Sequence, residues 1–167
     1  MGEPLGQRNE SRTSTQNETE RQTQAQNTKT LRVLVLEDDK SQWPVWESVI
    51  LSLDPRAEID WNTTEGNAEA LVKHAFHTNN PYSVIICDVF LGEQETGIDL
   101  WNRYGETAGN FIFASVMTLA QFRELVEPRL TAKLGLPRYI QKPLTGNMCR
   151  KAIRSISNNE GGEDEQH

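Results

Sequence analysis

The heptapeptide Tyr82-Ser83-Val84-Ile85-Ile86-Cys87-Asp88 runs apolar and largely β-branched before it closes on a carboxylate. An unbroken apolar run of this length, without polar alternation, predicts a strand covered on both faces. The pattern recurs upstream, where Leu31-Arg32-Val33-Leu34-Val35-Leu36 leads into Glu37-Asp38-Asp39. Helical periodicity fills the intervals. Trp46, Val49, Ile50 and Leu53 at i, i+3, i+4, i+7 predict a helix opened by Asp39 or Ser41, with Pro44 tolerated only in its first turn. Ala57–Thr63 predicts a short second strand, and Ala68, Leu71, Val72, Ala75 and Phe76 trace one face of a second helix. A helix from about Gly97 to Tyr104, a strand at Phe111–Ala114, a helix at Leu119–Val126, a strand at Arg138–Gln141 and a helix at Gly146–Ile156 follow. Five strand–helix pairs with buried strands predict an α/β fold: a doubly wound, three-layer sandwich around a parallel sheet.

Composition sets the limits of that unit. The 167 residues are 36% hydrophobic, against roughly 45–50% in an ordinary globular domain, and the deficit is localised. Residues 1–30 hold only Met1, Leu5 and Ala25 as apolar side chains, and residues 157–167 hold none. The expected organisation is a flexible polar arm over 1–30, one domain over 31–156, and an acidic flexible tail over 157–167. The formal charge is −7, and no basic run is visible along the chain, so neither nucleic acid nor an anionic membrane surface is an expected direct partner. No apolar run approaches the roughly 20 residues of a membrane span, and the polar start lacks a signal-peptide core. Two cysteines 62 positions apart make no disulfide framework. The expected location is the cytoplasm.

Ligands of doubly wound sheets sit at the carboxyl ends of the strands, beside the point where strand order reverses. Here the predicted strands end in Glu37-Asp38-Asp39, Asp88, Ser115 and Lys142-Pro143. Each has an ordinary alternative: a helix cap (the expected role of Asp39), a turn serine, a solvated lysine. Four such ends out of five argue for a single site.

On the segments VLVLEDD (33–39), VIICDVFLGEQETGIDL (84–100), FIFAS (111–115) and YIQKPL (139–144), the core resembles the receiver domain of bacterial two-component response regulators. The resemblance covers essentially all of 31–156. It implies a (βα)5, flavodoxin-like fold with strand order 2-1-3-4-5. It also implies phosphorylation of Asp88, with Mg²⁺ held by Glu37, Asp38, Asp88 and the main-chain carbonyl of Phe90. Ser115 corresponds to the switch hydroxyl, Lys142 to the family lysine and Tyr139 to the switch aromatic. The implied partners are a sensor histidine kinase or a histidine phosphotransfer protein, and a downstream protein target meeting the surface of Leu119–Val126 and Arg138–Ile156. The alternative use of that surface is homodimerisation.

Charge arithmetic agrees. Glu37, Asp38, Asp88 and Lys142 sum to −2, which one Mg²⁺ neutralises, and an all-oxygen set suits that ion and not zinc. Two positions depart from the commonest family pattern. Gly92 stands where proline is frequent, which predicts a less rigid loop, and branched Val116 follows Ser115, which predicts an altered phosphoryl-group lifetime. Phe90 supplies no acid two residues after Asp88, which argues against a haloacid-dehalogenase-type phosphatase. His74 and His77, Cys87 and Cys149, and the four tryptophans are expected to be structural. With no expected output domain after residue 156, the reading is a single-domain response regulator that switches a protein contact or relays its phosphoryl group, not an enzyme with a substrate of its own. The alternative is an interaction module that keeps the fold without phosphorylation.

Overall fold

A computed structural model describes residues 29–92 and 95–157. The expected arm and tail therefore fall, but for their innermost residues, outside the described residues. Five parallel strands, β1 (Arg32–Leu36), β2 (Glu58–Asn62), β3 (Val84–Asp88), β4 (Phe111–Ser115) and β5 (Arg138–Gln141), lie in the order β2-β1-β3-β4-β5. Five helices alternate with them: α1 (Trp43–Leu53), α2 (Glu65–His77), α3 (Gly97–Ala108), α4 (Leu119–Val126) and α5 (Gly146–Ser157). This is the doubly wound 2-1-3-4-5 sandwich.

Side-chain alternation along the buried strands divides the interior into two cores. Leu34, Leu36, Ile85, Cys87, Phe111 and Phe113 face α2, α3 and α4, which contribute Ala68, Val72, Leu100, Trp101, Phe122 and Val126. Val33, Val35, Val84, Ile86, Ile112 and Ala114 face α1 and α5, which contribute Trp46, Val49, Ile50, Cys149 and Ile153. The three central strands are apolar on both faces because both are covered, whereas β2 at the edge reads Glu-Ile-Asp-Trp-Asn and stays half-buried.

The local signals are met at the helix starts. The Asp39 carboxylate accepts from the Ser41 N–H at 2.9 Å and caps a short 3₁₀ turn, Lys40–Gln42, that leads into α1 with Pro44 in its first turn. Thr118 and Gln121 cap α4 reciprocally.

Three details differ from expectation. The third helix runs to Ala108, beyond Tyr104, because both residues continue the half-buried face packed on the core. Phe76, expected on the core face of α2, is 37% exposed at the helix's last turn. An antiparallel pair, Phe90–Leu91 with Glu95–Thr96, follows β3 and has no signature in the sequence pattern. Among the described residues no helix is long and apolar enough to cross a membrane.

Phe122 is fully buried, its ring 5.3 Å from Phe113 and 4.4 Å from Tyr139. Phe122→Ala should cost about 3–5 kcal/mol of unfolding free energy, measurable as a lowered denaturant midpoint. A loss under 1 kcal/mol would show that this core collapses around the cavity.

Candidate functional site

Strand order reverses between β1 and β3, and the crevice beyond their carboxyl ends collects the polar groups of the fold. Glu37 leaves β1 with its N–H bonded to the Asn62 carbonyl at 2.9 Å. Its carboxylate is only 1% exposed, accepting from the Asp39 N–H (3.2 Å) and from Lys142 Nζ (2.8 Å). Lys142 also reaches Asp88 Oδ2 at 2.6 Å, so one ammonium ties the end of β1 to the end of β3. The Lys142 backbone N–H donates to the Ser115 carbonyl at 2.7 Å, which joins β4 to the same residue. Asp38 is exposed at the rim and accepts from the Gly92 N–H at 3.0 Å. Carboxylate oxygens of Glu37, Asp38 and Asp88 lie within 4.8 Å of one another.

Two glycines shape the acceptor's surroundings. A Cβ on Gly97 would sit 2.2 Å from the Asp88 carbonyl oxygen, so only glycine lets α3 start this close to β3. Gly92 has φ +64°, a conformation closed to proline, and its N–H is the donor to Asp38. The absence of proline thus accompanies a specific contact and is more than lost rigidity.

Phe90, 47% exposed, donates its N–H to Asp88 Oδ1 at 3.2 Å. The bond from Gly97 N–H to the Val89 carbonyl makes Val89–Gly97 a hydrogen-bonded pair. Alternation then puts Phe90, opposite Thr96, in a non-bonded position with its peptide groups turned away from the hairpin.

Ser115 is 1% exposed, and its hydroxyl is a buried polar atom with no hydrogen-bond partner among the described residues. A buried hydroxyl left in this state costs about 1–3 kcal/mol. Tyr139 enters from β5, stacks on Phe122 and donates its hydroxyl to the carbonyls of Ser115 (3.1 Å) and Met117.

Burial pushes the Glu37 carboxyl up to about 7 against the pull of the Lys142 hydrogen bond, and the neighbouring Asp88 charge adds to the rise. Burial also works against the Lys142 ammonium, but its bonds to Asp88 and Glu37 outweigh it and raise the pKa. Burial lifts Tyr139, aided by the Asp88 charge. Three carboxylates share one ammonium in this pocket. Its donors are all oxygen, and they fit Mg²⁺.

Sequence reasoning missed the tryptophan pair beside the pocket. Trp43 stacks on Trp61 at 4.8 Å and donates its indole N–H to the Glu37 carbonyl at 3.3 Å, clamping the β1–α1 loop. Trp46 and Trp101 are core residues. Cys87 and Cys149 are buried free thiols; burial raises both, Cys149 to about 11. His77 bonds the Lys73 carbonyl on its own helix. Among the described residues neither histidine joins a cluster of possible metal ligands.

No protein-family model and no curated protein matches the sequence. Solved structures do. A CheY-like receiver domain protein from Methanospirillum hungatei aligns with a TM-score of 0.62 at 16% identity, covering 81% of this chain and all of that one. The beryllofluoride-activated NtrC4 receiver domain dimer gives 0.61 at 18% identity, over 77% and 97% of the two chains. Vibrio cholerae chemotaxis protein CheY4 gives 0.61 at 15% identity, over 77% and 99%. The fold is that of response regulator receiver domains.

Because the folded chain holds the Glu37 proton more tightly than the unfolded chain does, stability falls as pH rises from about 4.5 to about 7. In chelator, raising the pH from 4.5 to 8 should therefore cost the natural chain on the order of 2 kcal/mol more than it costs Glu37→Gln. Added Mg²⁺ should narrow that gap. Parallel pH profiles for the two chains would assign the burial energetics elsewhere.

Proposed function

We propose that the protein is a signalling receiver in which Asp88 accepts a phosphoryl group from the phosphohistidine of a sensor kinase or a phosphotransfer protein. The observation that carries this reading is the unpartnered Ser115 hydroxyl, buried on the strand next to Asp88 at a crevice where Lys142 bridges two carboxylates. An anion with several acceptor oxygens would supply the hydroxyl's missing partner.

An Asp88 carboxylate oxygen attacks phosphorus in line. The P–N bond to the donor imidazole breaks, and its electron pair leaves with the imidazole nitrogen. Such transfers need positioning and neutralised charge more than covalent work. Lys142 gives up part of its hold on Asp88 Oδ2 and follows the charge onto a phosphoryl oxygen. The Phe90 N–H, already 3.2 Å from Oδ1, holds the acceptor's orientation. Glu37, Asp38, Asp88 and the Phe90 carbonyl would hold Mg²⁺, which supplies neutralisation of the phosphoryl oxygens when bound.

Phosphorylation replaces a charge of −1 by about −2 and adds acceptor oxygens. Ser115 turns to donate to them and draws the 115–117 segment inward. Tyr139 is bonded to the carbonyls of Ser115 and Met117, so it moves with that segment and carries the change to β5 and α5. Charge-assisted hydrogen bonds contribute roughly 1.5–3 kcal/mol each. Two or three approach the ~5.5 kcal/mol that inverts a 1:99 equilibrium. The surface of Leu119–Val126 and Arg138–Ile156 then meets a protein target, a second copy, or the next phosphate carrier. We place this activity in the cytoplasm, where free thiols such as Cys87 and Cys149 persist. Val116, next in the chain to Ser115, is 74% exposed, and on this reading its branched side chain narrows the approach of water to the phosphoryl group.

Incubation with Mg²⁺ and acetyl phosphate should add one labile phosphoryl group, seen by intact mass, and Asp88→Asn should add none. Absence of an adduct with both this donor and a phosphohistidine protein would instead select an interaction module, and many phosphates released per chain would select a hydrolase. Val116→Ala should change the decay rate of the adduct, by about tenfold at most if one water path is concerned; identical decay would remove Val116 from the chemistry. Tyr139→Ala should keep the adduct and lose phosphate-dependent partner binding.

A further inference from the structure

The three acids of the crevice are held by different means. Glu37 and Asp88 are buried, and Lys142 Nζ bonds each of them. Asp38 is exposed, and its carboxylate forms no ion pair among the described residues. Its hydrogen bond comes from main chain instead, with the Gly92 N–H 3.0 Å from Oδ2. The two residues are 54 apart in the chain, so this is a tertiary contact and not a local turn. The donor is itself anchored. Val89 and Leu91 are buried in the core, Phe90 and Leu91 pair with Thr96 and Glu95, and the Gly97 N–H closes onto the Val89 carbonyl. Gly92 follows at φ +64°, a conformation that asparagine tolerates, β-branched residues resist and proline is barred from. A Cβ there would meet nothing within 4 Å, so the demand on this position is conformational and not one of space.

An exposed carboxylate turns freely about its side-chain bonds unless something fixes it. Here the N–H on Oδ2 fixes it, and ligation through both oxygens at once would disturb that bond. This bears on which cation the site takes. Mg²⁺ is small, demands near-octahedral geometry and keeps several waters beside one or two carboxylates. Ca²⁺ takes roughly six to eight oxygens in flexible arrangements and accepts bidentate carboxylates. A carboxylate held in one orientation by an outer hydrogen bond therefore favours the ion with the stricter geometry. A loose one, free to offer both oxygens, favours Ca²⁺. We infer that Gly92 is a positioning residue whose N–H holds Asp38 for Mg²⁺ and sets the preference of the site for that ion over Ca²⁺. The inference rests on the reading given above, in which Glu37, Asp38, Asp88 and the Phe90 carbonyl are the ion's ligands. Gly92 acts through Asp38 and does not itself touch the ion. The same hairpin carries Phe90, whose N–H lies 3.2 Å from Asp88 Oδ1, so one element orients two of the three acids.

Calorimetric titration of the full chain with Mg²⁺ and with Ca²⁺ tests this without any phosphate. Gly92→Pro removes the donor, and Gly92→Val keeps it but resists φ +64°. Each should weaken Mg²⁺ binding by about tenfold, the lower end of what loss of an outer hydrogen bond to a metal ligand costs. Ca²⁺ binding should weaken by no more than about threefold, because that ion adapts to a mobile carboxylate. Gly92→Asn keeps both the N–H and the backbone conformation, and should bind both ions within about twofold of the natural chain. A merely structural role for the hairpin would lower both affinities together, so the ratio of the two constants is the discriminating readout. Equal losses for both ions, unchanged Mg²⁺ affinity in Gly92→Pro and Gly92→Val, or a loss in Gly92→Asn as large as theirs would each overturn the proposal. A natural chain that binds neither ion would overturn the metal reading along with it. A natural chain that binds Mg²⁺ and takes up the phosphoryl group leaves the receiver reading standing, whichever way the Gly92 variants fall.

Discussion

One lysine residue ties together the ends of three strands, two through its ammonium and one through its backbone N–H. Lys142 Nζ bonds Glu37 beyond β1 and Asp88 at the end of β3, and its N–H takes the carbonyl of Ser115 at the end of β4. The Glu37 carboxylate, almost fully buried, has no other side-chain partner of opposite charge among the described residues. Removing one member of a buried pair leaves an uncompensated charge, which costs more than the pair contributes. The crevice therefore depends on this lysine for its shape as well as its electrostatics. Glu37 and Asp88 thus share one ammonium, and the Tyr139 hydroxyl bonds the Ser115 carbonyl to which the same lysine's backbone N–H donates.

The surrounding fold accounts for how a crowded acidic site is tolerated at all. The two apolar cores fix the three central strands from both sides, and parallel register brings their carboxyl ends to one edge. Local devices then set each group. The tryptophan pair holds the carbonyl of Glu37, Gly97 lets α3 begin against Asp88, and Gly92 turns its N–H toward Asp38. None of these residues is acidic or basic, yet each positions one that is. The raised Glu37 pKa and the unpartnered Ser115 hydroxyl have one cause in common, the burial of polar groups at the strand ends.

Charge is organised on the scale of the chain too. Averaged over 167 residues the composition is acidic, and no basic run stands out along the sequence. Helical spacing nevertheless gathers Arg150, Lys151 and Arg154 beside Arg138 on neighbouring elements. The basic face that the whole-chain balance conceals therefore emerges only where α5 lies against β5.

The sequence by itself determined the alternation of strands and helices, the burial of the central strands on both faces and the polar residues at their ends. These follow from local rules: the periods of 2.0 and 3.6 residues, capping at Asp39 and the restriction on Pro44. The extent of α3, the exposure of Phe76 and the hairpin after β3 were decided by packing against elements distant in the chain. So were the partners within the site. Lys142 is 105 residues from Glu37 and 54 from Asp88, and no periodicity encodes contacts at such separations. The tryptophan clamp and the buried state of Ser115 belong to the same class, because burial and partnership are properties of neighbours in space, which only the tertiary structure supplies.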